Sequence, residues 1–318
     1  MTSKQIRNYP ASVHRRLLDL ARERGEEFNR ILQRYVAERF LYRLTISPFV
    51  DEFTLKGAAL YRVWSANELR PTKDVDFLGS GREVRQGLRE IVQAICGASC
   101  PEDGIVFDPT AVHIRDAQHD QEYSSLRARV LGNLGQARLT LQMDVGFGDA
   151  ITPGREERDY PTMLDLPAPR LWTYPRETVV AEKFEAMVSL GTRNTRVKDL
   201  WDVACMARLF PFDGETLRAA VEETFRRRQT SLGAGRPMAL LPSYYEDVDR
   251  DHRWQVLRRQ MAAEIDGPVR LVDTGDEIRR FLGPVSDSVI AGRSHLQVWL
   301  AGGPWQSAEF APRPAKAQ

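Results

Sequence analysis

The sequence predicts an α+β fold with a helical portion toward its C-terminus. Residues 51–165 alternate candidate strands with candidate helices, and acidic side chains fall on the candidate strands. From residue 175 onward, apolar residues recur at helical spacing. Strands and helices mixed in one part of a chain, followed by helices, are typical of an α+β domain with a helical extension.

The first fifty residues predict two helices that pack on the core. Ser12 can cap the first helix, and Gly25 can end it. The second begins near Glu26 and ends before Pro48, because proline cannot continue a helix. Its apolar residues recur every three or four positions and form one face: Phe28, Ile31, Leu32, Tyr35, Val36 and Phe40.

Residues 51–170 are expected to form the core. Residues 57–64 suit a short helix after a strand, residues 84–95 are amphipathic and helical, and residues 155–159 read as a loop. Strands are predicted at 74–78, 104–107, 111–114, 127–131 and 139–145.

Residues 171–302 predict a helical C-terminal domain, and residues 303–318 are expected to be a disordered tail because they are rich in Gly, Pro and Ala. Helices are predicted at 177–190, 197–209, 217–228, 251–264 and 275–282.

Composition excludes several classes of protein. With 318 residues, 42% apolar and 28% charged, the chain can bury a sizeable core. No apolar run approaches the roughly 20 residues that cross a bilayer, so no membrane association is expected. Three cysteines without a C-x-x-C motif predict neither a disulfide framework nor a zinc site. The cytoplasm is the expected compartment.

The most informative motif is a pair of aspartates on one candidate strand. Asp74 and Asp76 are two residues apart, so their side chains point to the same face. Two close carboxylates repel each other, and Mg²⁺ held by carboxylates and substrate phosphates relieves that repulsion. The glycine-bearing turn at Gly57 would let a triphosphate approach the backbone. The alternative is a strand that carries two surface aspartates.

A third carboxylate follows on the clearest candidate strand. Asp144 lies on the opposite face from Leu139, Leu141, Met143 and Val145, near the end of a run that continues into glycines. It could complete a metal site or act as a base. A strand that simply turns at this point is the alternative.

Basic residues that could neutralise a triphosphate come later. Lys183 lies within an apolar helical segment, where snorkelling to the surface is the alternative role. Asp199 and Asp202 are three apart on one helix face, and Arg196 precedes Asp199 by three residues. Helices joined by the turn at 191–195 could pack antiparallel, so Lys183 and Asp199 are expected to face the same cleft as Asp74 and Asp76.

Together these motifs resemble the AbiEii/AbiGii toxin nucleotidyltransferases, over roughly residues 10–285. The resemblance rests on the order and spacing of the segments 53–60, 70–77, 144–149, 177–183 and 196–202. It implies a DNA polymerase β-like nucleotidyltransferase core, with a small mixed sheet and helices, plus a helical C-terminal portion. The family often carries a second Gly or Ser after the first glycine, where this chain has Ala58 and Ala59.

The resemblance implies a metal-dependent transferase that moves a nucleotide from an NTP to an acceptor. The acceptor that the resemblance implies is the 3′ end of tRNA, whose modification would inhibit translation. The resemblance also implies a cognate antitoxin as the protein partner. Residues expected to hold Mg²⁺ or Mn²⁺ are Asp74, Asp76 and Asp144. Catalytic roles also fall on Lys183 and Asp199, and nucleotide-binding roles fall on Lys56, Gly57, Thr72, Lys183 and Arg196.

Other functions remain open at this stage. One alternative is a catalytically silent relative that binds or regulates, and another is a transferase whose acceptor is a small molecule or a protein side chain. The net charge of +1 gives no general attraction to nucleic acid. Only the local basic patches at 193–198 and 226–228 favour RNA.

Overall fold

The computed structural model describes residues 8–65, 70–81, 85–117, 125–261 and 269–307. These residues form two compact units. The first unit comprises the described residues within Met1–Glu68, Thr72–Gly148 and Glu156–Thr173. The second comprises those within Leu69–Pro71, Asp149–Arg155 and Tyr174–Gln318.

The first unit combines helices with a mixed sheet, which confirms the α+β architecture. Its helices are α1 (Tyr9–Arg24), α2 (Phe28–Thr45), α3 (Tyr61–Trp64) and α4 (Arg85–Gly97). Its strands are β1 (Phe53–Lys56), β2 (Asp74–Gly79), β3 (Ile105–Asp116), β4 (Ser125–Leu134), β5 (Ala137–Phe147), β6 (Glu156–Asp159) and β7 (Arg170–Thr173).

The seven strands run in the order β3-β4-β5-β2-β1-β7-β6. β2 pairs in parallel with β5 and antiparallel with β1, so strands far apart in sequence become direct neighbours. Along β2 and β4 buried residues alternate with more exposed ones, because successive strand side chains point to opposite faces. One face is therefore apolar and the other polar.

Helices α2 and α4 pack against strands of this sheet, α2 against β5 and α4 against β3. Phe40 of α2 meets Phe107 of β3 edge to face, with ring centroids 5.8 Å apart. Arg43 of α2 is buried and satisfied by a two-pronged pair with Asp103, in which its nitrogens lie 2.6 and 3.2 Å from the carboxylate oxygens. The N-terminal helices thus share a core with the sheet.

The predicted cap of the first helix is wrong. The helix begins at Tyr9, and Asn8 caps it by accepting a hydrogen bond from the Ala11 amide at 3.1 Å. Proline in the first turn lets the helix start before Ser12, since that position needs no amide donor. The predicted end is confirmed, because Gly25 adopts the left-handed conformation with φ of 63°.

Several strand boundaries differ from the predictions. The strands predicted at 104–107 and 111–114 are one strand, β3, whose register with β4 shifts between Asp108 and His113. The predicted loop at 155–159 contains β6, and β7 follows among the prolines. Both strands are only four residues long, and the pairing of β6 with β7 and of β7 with β1 defines them.

The second unit contains six helices and three short strands in its described part. The helices are α5 (Arg176–Leu190), α6 (Val197–Leu209), α7 (Gly214–Arg227), α8 (Pro242–Tyr245), α9 (Val248–Gln260) and α10 (Leu271–Ile290). The strands are β8 (Phe212–Asp213), β9 (Gln297–Trp299) and β10 (Trp305–Ser307), which form one antiparallel sheet.

The sequence predicted the helices of this portion but not the small sheet that accompanies them. β10 also shows that ordered structure continues past residue 303, whereas residues 308–318 lie outside the described residues. Trp305 explains the order, because its indole nitrogen donates to the Phe281 carbonyl at 2.8 Å. Helix α10 runs through Pro284 well beyond the predicted end at 282, since its buried apolar face continues past the proline.

Across the described ranges, no helix combines the length and apolar character needed to cross a membrane.

Candidate active site

The aspartate pair lies on β2, in the middle of the seven-stranded sheet. Asp74 and Asp76 occupy the partly exposed positions of the strand, whereas Val75 and Phe77 between and after them are buried. Asp76 is the register partner of Asp144 on the parallel neighbour β5. The three aspartates predicted from sequence therefore lie on one face of two adjacent strands.

Gly57 follows β1 and lies directly against the Asp76 carboxylate. Its φ is +70°, and a Cβ atom built on it would lie 2.0 Å from Asp76 Oδ2. Only a residue without a side chain allows that approach. The glycine turn therefore fixes where the Asp76 carboxylate can lie.

Replacing Gly57 with alanine should reduce activity strongly and stability only moderately. We expect about 1–2 kcal/mol of destabilisation from the left-handed conformation alone. Displacement of Asp76 should add about a 10²-fold loss of activity, the scale set by a 1 Å misplacement. Gly25→Ala is the matched control, since Gly25 has φ of +63° and nothing within 4 Å of an added Cβ. Equal activity of the two variants in a transfer assay would show that this contact has no role.

Arg127 of β4 holds the third carboxylate. Its Nε and Nη2 donate to the two oxygens of Asp144 at 2.7 and 2.6 Å. This hydrogen bonding raises the pKa of Arg127, and attraction by Asp74 and Asp76 raises it further. The three aspartates and Arg127 thus form one electrostatic cluster.

The sequence did not predict that Arg127 would neutralise Asp144. Among the described residues no group of three or more His, Cys, Asp or Glu side chains is gathered closely enough to hold a metal ion. The Arg127–Asp144 pair directs both Asp144 oxygens toward the guanidinium. Asp74 and Asp76 are the carboxylates that remain together on one strand.

Two predicted nucleotide-binding residues flank the carboxylates. Lys56 is the register partner of Asp76 on β1, and its ammonium lies 3.9 Å from the position of a Cβ at Gly146 of β5. The Lys56 side chain therefore reaches across β2 on the polar face. Thr72 donates from its hydroxyl to the Asp74 carbonyl at 3.2 Å, which steadies the start of β2.

The second unit contains a charged cluster around Lys183. The ammonium of this α5 residue lies 2.7 Å from Asp199 Oδ1 and 2.7 Å from Asp202 Oδ2, both on α6. Arg196 Nε lies 2.8 Å from Asp199 Oδ2, and Arg70 binds both oxygens of Asp202 at 2.8 and 3.0 Å. The pairing of the two helices that the sequence predicted is thus present.

The charges of this cluster are stabilised by one another. Burial lowers the pKa of Lys183, but attraction by Asp199 and Asp202 outweighs it, and the pKa lies above its ordinary value. Burial likewise raises the pKa of Asp202, but Arg70 and Lys183 outweigh it and leave it lowered. A cavity of about 330 Å³ lies beside the cluster, with Arg70, Arg196 and Asp199 in its wall.

Arg228 was predicted to belong to a basic patch at 226–228 that favours RNA. For this residue the prediction is wrong. The Arg228 side chain is only 10% exposed, and it pairs with Asp149, Glu182 and Glu185 at 2.9, 3.3 and 2.8 Å. A guanidinium surrounded by three carboxylates supports the fold of its unit. The sequence could not reveal this, because Asp149 is far away along the chain.

Replacing Arg228 with methionine should therefore unfold the protein at lower denaturant. Removing one partner of a buried ion pair leaves unpaired charge and costs about 3–5 kcal/mol. Arg226→Met is the control, since Arg226 is 70% exposed and pairs with Glu223 on its own helix. We expect that control to change the free energy of unfolding by no more than about 1 kcal/mol. Equal stability of the two variants by urea unfolding would contradict the buried role of Arg228.

Sequence reasoning also missed a row of basic side chains beside the carboxylates. His113 and Arg115 alternate on β3, and Arg127 and Arg129 alternate on β4, so all four lie on the polar face. The signal was present in the sequence as two short runs with basic residues at i and i+2. Its meaning depends on which strands become neighbours.

Residues 39–283 match the family model described as nucleotidyl transferase AbiEii toxin, type IV TA system. The chain belongs to the AbiEii family. The members of this family are nucleotidyltransferase toxins of type IV toxin–antitoxin systems, and membership implies an antitoxin partner. The matched range contains both charged clusters, that of the β2 aspartates and that of Lys183.

Comparison with solved structures finds two chains from Helicobacter pylori. The crystal structure of JHP933 has a TM-score of 0.46 and 14% identity, and the similarity covers 84% of this chain and 95% of that one. A second structure, named provisionally as a nucleotidyltransferase, has a TM-score of 0.46 and 15% identity, with 85% and 100% covered. A comparison with curated proteins finds no match.

Proposed function

We propose that this AbiEii protein is a metal-dependent nucleotidyltransferase that moves a nucleotide from an NTP to an RNA acceptor. The observation that carries the proposal is the placement of Asp74 and Asp76 on one face of β2, beside Asp144 and against Gly57. Charged groups of one sign are kept this close at a functional site when a ligand of opposite charge binds there.

The residues present fit Mg²⁺ or Mn²⁺. Asp74 and Asp76 offer hard oxygen ligands on one exposed face, and Mg²⁺ usually takes one or two carboxylates together with substrate phosphates. Such an ion would supply charge neutralisation on the triphosphate and on the attacking oxygen. Asp144 would join as a third ligand or accept the proton of the acceptor hydroxyl, once released in part from Arg127.

The protein's own cations complete the proposed site. Lys56 extends over β2 on the carboxylate face, where an ammonium would meet the phosphates that approach Gly57. Thr72 positions the start of β2 and offers a hydroxyl. Lys183 and Arg196, both of which pair with Asp199, remain candidate nucleotide-binding residues on the strength of the sequence motifs.

The finer biological assignment extends the family membership. We propose a DNA polymerase β-like arrangement of the core and transfer to the 3′ end of tRNA, with inhibition of translation as the toxic result. A cognate antitoxin would neutralise this activity, and the cytoplasm, where tRNA and NTPs are available, would be the place of action.

The test is to incubate the protein with each α-labelled NTP, Mg²⁺ and total RNA, and to separate the products on a denaturing gel. Label in a tRNA-sized band, abolished by EDTA, is the expected result. Label in the protein band or in a small molecule would show that the acceptor is a protein or a small molecule and not RNA. Absence of transfer with all four NTPs, in a chain that remains toxic on expression, would instead favour a protein that acts by binding.

A further inference from the structure

The polar face of the sheet carries a second feature beside the aspartates. A cavity of about 300 Å³, roughly ten times the share of one water molecule in the liquid, opens over β3, β4 and β5. Its lining is almost entirely basic and polar: His113, Arg115, Arg127, Arg129 and Gln142. We call this feature the basic pocket.

Strand register makes the basic pocket electrostatically unfavourable without a ligand. Arg115 is the direct cross-strand partner of Arg127, and His113 is the direct partner of Arg129. Like charges directly opposite each other destabilise an antiparallel pair. The Arg115–Arg127 pair thus places two guanidiniums against each other, and an anion between the strands would relieve the repulsion.

Only part of this positive charge is balanced by the residues that the structure describes. Arg127 is neutralised by Asp144. Arg115 and Arg129 are exposed, and neither is paired with a carboxylate within the described part of the chain. Their guanidiniums occupy diagonal positions on neighbouring strands of the same face, open to solvent, and can bind an anion with several oxygens.

The register also fixes where the basic pocket lies relative to the aspartates. One row across the sheet reads Arg115, Arg127, Asp144, Asp76 and Lys56, through direct register partners. At about 4.8 Å between strands, Arg127 lies about 10 Å and Arg115 about 14 Å from Asp76 along this row. Positive charge therefore begins where the row of carboxylates ends.

We propose that the basic pocket binds backbone phosphates of the acceptor nucleic acid, with Arg115 and Arg129 as the contacts. This inference rests on the proposed function for the identity of the acceptor. The phosphates of the NTP would lie against the ion held by Asp74 and Asp76. A separate phosphate site two to three strands away suits the other substrate, whose terminal hydroxyl must reach the aspartates while its preceding phosphates lie further along the face.

The test measures binding without catalysis, so that it does not depend on the proposed transfer. The full-length Arg115→Gln/Arg129→Gln variant is titrated against a short fluorescein-labelled single-stranded RNA by anisotropy, without NTP or metal. We expect RNA affinity to fall about 10-fold or more at low salt, whatever the sequence of the RNA. The slope of log K against log salt should shrink by about 1.4, because each of the two arginines neutralises one phosphate and contributes about 0.7.

Two comparisons make the result specific. Arg89→Gln removes an exposed arginine from α4, the helix that packs against β3, and should leave RNA affinity unchanged. Binding of inorganic tripolyphosphate with Mg²⁺, measured by calorimetry, should be the same in the double variant and the unaltered protein. Unchanged RNA affinity in the double variant, or an equal loss in Arg89→Gln, would overturn the inference.

The outcomes also separate this inference from the proposed function. A loss of tripolyphosphate binding with normal RNA binding would reassign the basic pocket to the NTP and overturn the acceptor site. Loss of RNA binding in the double variant would support the acceptor site even if the unaltered protein transferred no nucleotide. Transfer with full RNA affinity in the double variant would uphold the proposed function and reject the acceptor site.

Discussion

Asp76→Asn should abolish nucleotide transfer and leave the protein folded. Asparagine keeps the shape that fits against Gly57 but loses the charge that would hold Mg²⁺. Charge stabilisation by a metal ion contributes several kcal/mol to a transition state, so the rate should fall by about 10³-fold or more. Thermal unfolding should be nearly unchanged, because the substitution relieves repulsion from Asp74 and Asp144.

Asp165→Asn is the control for this prediction, since Asp165 is an exposed carboxylate of the same unit in the loop between β6 and β7. It should transfer nucleotide at the unaltered rate. Should Asp76→Asn and Asp74→Asn both retain transfer, the catalytic carboxylates would lie elsewhere and the proposed metal site would be wrong.

Lys183→Met should lower both stability and activity. The substitution removes the ammonium from between Asp199 and Asp202 and leaves buried carboxylate charge with fewer partners. Breaking a buried pair in this way costs about 3–5 kcal/mol. Loss of one preorganised electrostatic partner should also reduce kcat/KM by about 10²-fold. Urea unfolding and single-turnover transfer measure the two effects.

Further variants separate the two roles of Lys183. Lys198→Met, an exposed lysine on the same α6 helix as Asp199, should change stability by no more than about 0.5 kcal/mol. Lys183→Met/Asp199→Asn should recover part of the stability, because one unpaired charge is removed, without recovering activity. Lys183→Arg should restore only part of the rate, since a planar fork does not replace a compact ammonium. Activity that returns together with stability in the double variant would make Lys183 structural only.

Much of the fold could be predicted where local pattern determines it. Helix α6 was predicted with the bounds that the structure shows, because its apolar residues repeat at helical spacing. The length of helix α10 was underestimated, because Pro284 predicts a helix end and the packing of the helix overrides it. The strands β6, β7, β9 and β10 were missed, because each is three or four residues long and acquires its conformation from neighbours.

In the candidate site, too, some features follow from local periodicity and others from contacts between distant residues. Asp74 and Asp76 share a face because two residues in a strand always do, and Asp199 and Asp202 share a helix face because three residues in a helix always do. Partners such as Arg127 for Asp144, or Arg228 for Asp149, depend on contacts between residues that are distant along the chain. No local periodicity encodes those contacts.

The sequence by itself therefore determined the paired aspartates of β2, the glycine that precedes them and the helical positions of Lys183 and Asp199, because side-chain direction follows from backbone periodicity. Only the tertiary structure decided that β5 lies in parallel beside β2 and that β3 and β4 extend the same face. Strand order is set by the burial of apolar surface across the whole sheet, a property that no single segment carries. That order turns scattered arginines into a basic pocket beside the aspartates.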